Sequence, residues 1–192
     1  MSPAPAIFVS TALSSSLSVF DVEELPTHGG SLRVFAQRSD TGQREPTERF
    51  EACLQAELDA GLETTAYYEG FQPRTERVKN DLLEYLIDAK RAGRIVAGYG
   101  AAAKGNTLLN FAGVRPDLLA CVADRNPAKQ GKWMPGSRIP IVDPSWLEQH
   151  PPDDILILPW NLKDEVTQQL AGTLKPGGRM LVAIPQLEVL TP

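Results

Sequence analysis

Two short stretches of this sequence hold residue types that could do chemistry. The first is Glu24-Leu25-Pro26-Thr27-His28-Gly29-Gly30-Ser31, with Arg33 just beyond. A neutral imidazole is available near pH 7 and basic enough to take a proton. His28 stands beside two glycines that expose backbone N–H groups, a hydroxyl and a guanidinium, with a carboxylate before it at Glu24. Such a set could bind an anionic or hydroxylated molecule and still leave a base. A solvated histidine at a hairpin tip is the plainer reading, and the residues alone leave both open. The second stretch runs Ile95-Val96-Ala97-Gly98-Tyr99-Gly100-Ala101-Ala102-Ala103-Lys104. Gly98 and Gly100 follow an apolar run and precede a helix-forming series, so N–H groups at the helix start can face an anion, with Lys104 close by. The pattern is Gly-x-Gly-x-x-Ala, with Ala103 at the third small position. It is not a P-loop, because there the lysine follows the second glycine, whereas Lys104 precedes Gly105. The same glycines would equally serve close packing of helix on strand.

The elements that must position these residues follow from apolar period and turn chemistry. Val19 to Leu25 and Ser31 to Gln37 read as antiparallel strands joined through Pro26–Gly30, which puts His28 at the tip with Ser31 and Arg33 behind. Leu32, Val34 and Ala36 share one face of the second strand; Ser31, Arg33 and Phe35 share the other. Thr47 to Leu62 is a helix with Phe50, Leu54 and Leu58 in phase, and Tyr67, Tyr68 and Phe71 follow as an aromatic patch that docks this arm on a neighbour. A second helix runs from about Arg74 to Ala92, with Val78, Leu82, Leu86 and Ala89 on one face and Gly93 as its stop. From Arg94 onward strands and helices alternate. The strands are Ile95–Gly98, Leu119–Ala123, Ile139–Val142, Ile155–Leu158 and Met180–Ile184; the helices are Ala101–Phe111, Pro144–His150 and Leu162–Leu174. Parallel strands need crossover helices, so the alternation predicts an α/β fold, a Rossmann-like doubly wound parallel sheet preceded by a β-hairpin and two-helix arm. The division is an unassigned segment at 1–18, the hairpin and arm at 19–93, and the sheet domain at 94–192.

Bulk properties narrow the function. The chain has 192 residues, 42% hydrophobic, and a net charge of −5 without a basic cluster, which argues against nucleic acid and anionic membranes as partners. No apolar run approaches the roughly 20 residues of a membrane span. Cys53 and Cys121 lie far apart, with no metal spacing around either histidine, so no metal site is expected and a reduced cytoplasmic setting is the default. Met1 to Ser18 lacks the basic start of a signal peptide and shows no trusted period, as though the chain began in the middle of something larger.

Three further groups sit near the carboxyl edge of the expected sheet, where ligands bind in open α/β folds. Asp124 ends the second strand of the alternating region, a place where an acid often meets a ribose hydroxyl; with Arg125, Asn126, Lys129 and Gly131 it forms either a ligand loop or an ordinary capped turn. Trp160, after Pro159, either stacks on a base or covers the sheet end. Lys175-Pro176-Gly177-Gly178-Arg179 before a late strand also occurs in many methyltransferase domains, a weak signal. The Gly98 turn lacks the acid and third glycine of a methyl-donor site, so no cofactor is expected in this chain alone.

Phe20-Asp-Val-Glu-Glu-Leu-Pro-Thr-His-Gly-Gly-Ser-Leu-Arg33 resembles the signature of the sugar C-methyltransferases that act on nucleotide-linked keto-deoxysugars. Gly98-Tyr-Gly-Ala-Ala-Ala-Lys-Gly-Asn-Thr-Leu-Leu-Asn110, with Asp124-Arg-Asn-Pro-Ala-Lys-Gln-Gly131, resembles their C-terminal domain. The resemblance runs from about Val19 to the end. It implies a missing upstream methyltransferase domain that binds S-adenosylmethionine, a small zinc-binding domain before that, and a chain that is inactive by itself, as a fragment. It further implies His28 as the base that removes a proton beside the ketone, so that the enolate takes the methyl group. Some members place a Tyr or a carboxylate just ahead of that histidine, where this chain has Leu25 and Thr27. Lys104, Asn106 and Arg33 fall on the sugar-nucleotide side, with Glu24, Gly29, Gly30, Ser31, Gly98, Gly100 and Asp124 as further substrate contacts. The alternative is a stand-alone Rossmann-like module that binds a nucleotide without chemistry.

Overall fold

The computed structural model describes residues 16–27 and 30–190. By its internal contacts the chain divides into two compact units, one ending at Gln72 and one starting at Pro73.

In the first unit β1 (Leu17–Leu25) pairs antiparallel with β2 (Ser31–Arg38), and the register shifts between Val19 and Asp21. That bulge turns the Asp21 carboxylate to a job. It accepts from the Thr47 hydroxyl at 2.6 Å and the Val22 N–H at 2.9 Å, and it pairs with the Arg49 guanidinium. Thr47 is also the N-cap of α1 (Glu48–Ala60), its hydroxyl accepting from the Phe50 N–H at 3.3 Å. One hydroxyl thus caps the helix and ties it to the hairpin. Gly61, at φ 79, caps the carboxyl end of α1, so the helix stops at Ala60 and not at Leu62. The short α2 (Thr65–Glu69) carries Tyr67 edge-on to Tyr68, centroids 5.0 Å apart, and both rings are exposed.

Helix α3 (Phe71–Arg91) starts in the last two residues of the first unit and runs into the second, where it buries Leu82, Leu86 and Ala89. The sequence boundary at 93 grouped this helix with the hairpin arm. Its apolar face instead joins the core of the unit that follows. The sheet consists of β3 (Val96–Tyr99), β4 (Val122–Ala123), β5 (Ile141–Val142), β6 (Asp154–Ile157), β7 (Arg179–Val182) and β8 (Glu188–Leu190), in the order β5-β4-β3-β6-β7-β8. All neighbours are parallel except β8, which runs antiparallel to β7. The expected α/β doubly wound sheet is present. Strands buried on both faces sort their side chains by period two. Val96, Leu156 and Leu181 enter one core with α3 and α4 (Ala103–Phe111). Ala97, Ile155, Ile157 and Met180 enter the other, with α5 (Ser145–Gln149) and α6 (Lys163–Leu170).

Two strands are shorter than their apolar runs. Leu119 and Ile139 are fully buried yet lie outside the ladder. Apolar content reports burial; hydrogen bonding decides the strand, and Pro140 has no N–H to give. The late edge strand β8 is short and follows Pro185, and the alternation did not foresee it. At the amino edge, Asp154 is 1% exposed and pairs with the Arg94 guanidinium and with Arg179 Nε, the latter at 3.2 Å. The Tyr85 ring lies within cation–π range of both, 5.6 Å from Arg94 and 5.3 Å from Arg179. Among the described residues no helix is long and apolar enough to cross a membrane.

Candidate functional site

The strand order makes one position special. From β3 the chain winds outward through β4 to β5, then crosses back to begin β6 on the other side of β3. Beyond the carboxyl ends of β3 and β6 the connections diverge to opposite faces, which is where sheets of this kind generally form their ligand crevice. The Gly98-Tyr99-Gly100 turn ends here. Gly98 and Gly100 donate to the Cys121 and Ala123 carbonyls, each at 2.7 Å. Gly100 sits at φ 84, and a Cβ there would stand 2.7 Å from Pro159 Cδ, so only glycine lets the two strand ends meet. The close helix–strand approach falls to Gly105, where a Cβ would meet Leu158 Cβ at 2.7 Å. Ala103, read as the third small position of the motif, is exposed. The small-residue pattern therefore serves packing two residues later than the motif placed it.

The helix after the turn starts at Ala103 and not at Ala101. Ala102 is extended at φ −84, ψ 152 and has no side chain to cap the helix. Ala101 donates its N–H to Asp124 Oδ2 at 2.6 Å. Lys129 Nζ lies 3.2 Å from the same oxygen and donates to the Ala101 carbonyl at 2.9 Å, while Oδ1 accepts from the Asn126 N–H at 2.8 Å. Both oxygens of Asp124 are thus engaged within the protein, at 11% side-chain exposure. Asp124 holds the glycine turn against the loop that follows β4. Lys129 and Asn126, grouped with Asp124 from the sequence, are its partners in this turn.

Lys104, in the first turn of α4, donates to the Asn161 side-chain carbonyl and lies 4.6 Å from the centroid of Trp160. Burial pushes its pKa down from the ordinary lysine value. Among the described residues it forms no salt bridge. Trp160, left between stacking and covering by its sequence, is half-buried against one sheet core with Lys104 over its ring. The Asn106 side-chain oxygen is buried and has no hydrogen-bond partner among the described residues. Tyr99, the last residue of β3, accepts from Gln169 Nε2 at 2.8 Å, and burial pushes its phenol pKa up.

In the first unit, His28 and Gly29 lie outside the described residues. Gly30 is at φ 119 and donates to the Thr27 carbonyl at 3.0 Å; the Ser31 hydroxyl donates to that carbonyl at 2.9 Å. Arg33 stands opposite Glu23 in the ladder and pairs with it at 2.9 Å, whereas Glu24 stands opposite Leu32. Residues directly opposite share a face, so Glu24 is on the other face of the ribbon from Ser31 and Arg33. The structure keeps Ser31 and Arg33 together and sets Glu24 apart from them. Among the described residues no cluster of three His, Cys, Asp or Glu could hold a metal ion.

Residues 26–185 match the family model described as the C-methyltransferase C-terminal domain. The chain is also 36% identical over 178 residues to C-methyltransferase NovU of Streptomyces niveus, an alignment covering 93% of this chain and 42% of that relative. It therefore spans less than half the length of the curated relative it matches.

Proposed function

This chain belongs to the family of C-methyltransferase C-terminal domains, and from that premise we propose that it is the substrate-holding and proton-abstracting part of a cytoplasmic C-methyltransferase acting on a nucleotide-linked keto-deoxysugar. The observation that carries the substrate class is the setting of Lys104 beside the ends of β3 and β6. There the Lys104 ammonium is held by Asn161 and the Trp160 ring and has no carboxylate partner among the described residues. A sugar nucleotide brings a diphosphate, which supplies the missing charge.

In the same proposal the methyl donor, S-adenosylmethionine, is not held by this chain, because the turn after β3 lacks the acid and third glycine of a methyl-donor site. The acid at the end of β4 is already tied to Ala101, Asn126 and Lys129 and serves to hold the turn. In this reading the donor is held by a separate methyltransferase domain, as expected of a family defined by a C-terminal portion. What this chain contributes is position and a base. Lys104 fixes the phosphate end. His28, as neutral imidazole, takes the proton from the carbon beside the ketone; the C–H pair moves into an enolate, whose carbon is the nucleophile. The imidazolium then returns its proton to solvent.

Calorimetry of the whole chain tests the substrate class. A thymidine nucleotide sugar should bind, NAD more weakly, and S-adenosylmethionine with no dissociation constant below about 100 µM, or roughly −5.5 kcal/mol. NAD as the tightest of the three would favour a nucleotide-binding module without this chemistry. For the base, His28→Ala joined to a donor domain should lower turnover about 10²–10⁴-fold. Exchange of the sugar proton into deuterated solvent should fall in parallel, because that step precedes methyl transfer. Unchanged exchange would move the base elsewhere.

A further inference from the structure

We propose that Trp160 and Asn161 are positioning residues for a phosphate group: they hold the Lys104 ammonium at the mouth of the crevice without neutralising it, so that its charge is left for an anionic ligand. The proposal rests on the reading that this crevice takes the diphosphate of a nucleotide sugar.

The partners of the other lysines make the case. Lys90 pairs with Asp117, Lys129 with Asp124, Lys163 with Glu188 and Lys175 with Asp153. Each of those four charges is matched by a carboxylate, while Lys79 lies 5.7 Å from the Phe111 centroid and the exposed Lys132 donates to the Ala128 carbonyl. Lys104 combines both kinds of neutral partner, a side-chain amide oxygen and the face of an indole, in a partly buried place at the sheet edge. Both attract a cation and fix its place, yet neither carries a formal charge. An ammonium so held is oriented and still electrostatically open.

The cradle itself is firmly seated. Trp160 and Asn161 form the start of a 3₁₀ turn, Trp160–Leu162, directly after Leu158-Pro159 at the end of β6. Pro159 fits against the bare Cα of Gly100, and the Trp160 ring packs on the core formed by Ala97, Tyr99, Ile157 and their neighbours. Lys104 comes from α4, after β3. The contact therefore bridges the two strand ends that flank the crevice, and it links residues 57 positions apart. A long lysine side chain otherwise samples many rotamers, and holding it before binding lowers the ordering cost that the ligand would meet.

The test uses the whole chain, titrated with inorganic pyrophosphate and with thymidine diphosphate by calorimetry and tryptophan emission. Asn161→Asp sets a carboxylate against the ammonium and should weaken thymidine diphosphate binding by about tenfold or more, while Asn161→Ala, which only frees the lysine, should weaken it about threefold. Trp160→Ala should weaken binding about tenfold, with Trp160→Phe restoring part of that loss because a ring face returns. The emission change on binding should vanish in Lys104→Met. Binding should fall at high pH as Lys104 loses its proton, and Asn161→Asp should move that fall to higher pH, a shift that a purely structural role would not produce. Thermal melts confirm that each variant is folded. If Lys104→Met weakens binding while Asn161→Asp and Trp160→Ala bind like the wild type, the cradle is refuted and the phosphate reading stands. If the wild-type chain binds neither probe, both fall.

Discussion

The two units of this chain are stabilised by different physics. In the unit beginning at Pro73, buried residues from strands and helices form two cores, one on each face of the sheet, and Leu109, Ile155, Leu156 and Met180 are completely covered. In the described part of the first unit only Val22 is a buried hydrophobic residue. Its helix α1 buries none, and Leu17, Val34, Leu58, Tyr67 and Tyr68 are exposed. What ties its helix to its hairpin is a set of polar bonds centred on Asp21 and Thr47. Burial is additive over area and insensitive to pH, whereas a polar clamp depends on a few groups and on their charge. The difference teaches where each unit should fail.

The largest effect should come from the dry core. Leu109→Ala removes a fully buried side chain from α4 and should cost about 2–5 kcal/mol, whereas Leu58→Ala, at 42% exposure, should cost far less. Denaturant melts measure both; similar losses would dissolve the contrast. Next is the amino edge of the sheet. Asp154→Asn leaves Arg94 and Arg179 without their shared carboxylate and should cost about 1.5–3 kcal/mol; both guanidiniums are partly exposed and can turn to water, which keeps the loss below that of a sealed pair. Deuterium exchange should quicken at the β6 and β7 amides and leave β1 and β2 unaffected.

The smallest effect belongs to the polar clamp. Thr47→Ala should cost about 1 kcal/mol and quicken exchange in α1. The clamp also gives the first unit a dependence on acid. The Thr47 hydroxyl first, and the Arg49 guanidinium second, hold the Asp21 carboxyl below the usual carboxylate range. A depressed folded value means that Asp21's contribution is fully present above the ordinary value of 3.8 and is lost as pH falls through the lowered one. Exchange in α1 should therefore rise in that acid window, and Asp21→Asn should abolish the rise. An unaltered profile in the variant would remove Asp21 from the account.

The sequence was most informative where burial is two-sided. Val96-Ala97, Ile155-Leu156-Ile157 and Met180-Leu181-Val182 are apolar runs because both faces of a parallel strand are covered, and with the helices between them they specify the α/β alternation. The Gly98 turn was legible for the same local reason: Gly100 takes a positive φ that other residues rarely adopt. The reach of the strands was not legible, because Leu119 and Ile139 are as apolar as strand residues and only ladder bonding separates them. The site was legible in part. Lys104 and Asp124 were marked by their places after β3 and β4, and Trp160 by its place after β6.

By itself, then, the sequence determined the local conformations, the order of the elements and the family signature, because these depend on neighbours along the chain. Only the tertiary structure decided what the marked residues touch. Asp124 meets Ala101 and Lys129, Lys104 meets Trp160 and Asn161, and Asp154 meets Arg94 and Arg179. The Asp124–Ala101, Lys104–Asn161 and Arg179–Asp154 contacts span 23, 57 and 25 residues of chain. No period or spacing encodes such pairings; strand order does, by bringing the ends of β3, β4 and β6 together at one edge of the sheet and the starts of β6 and β7 together at the other.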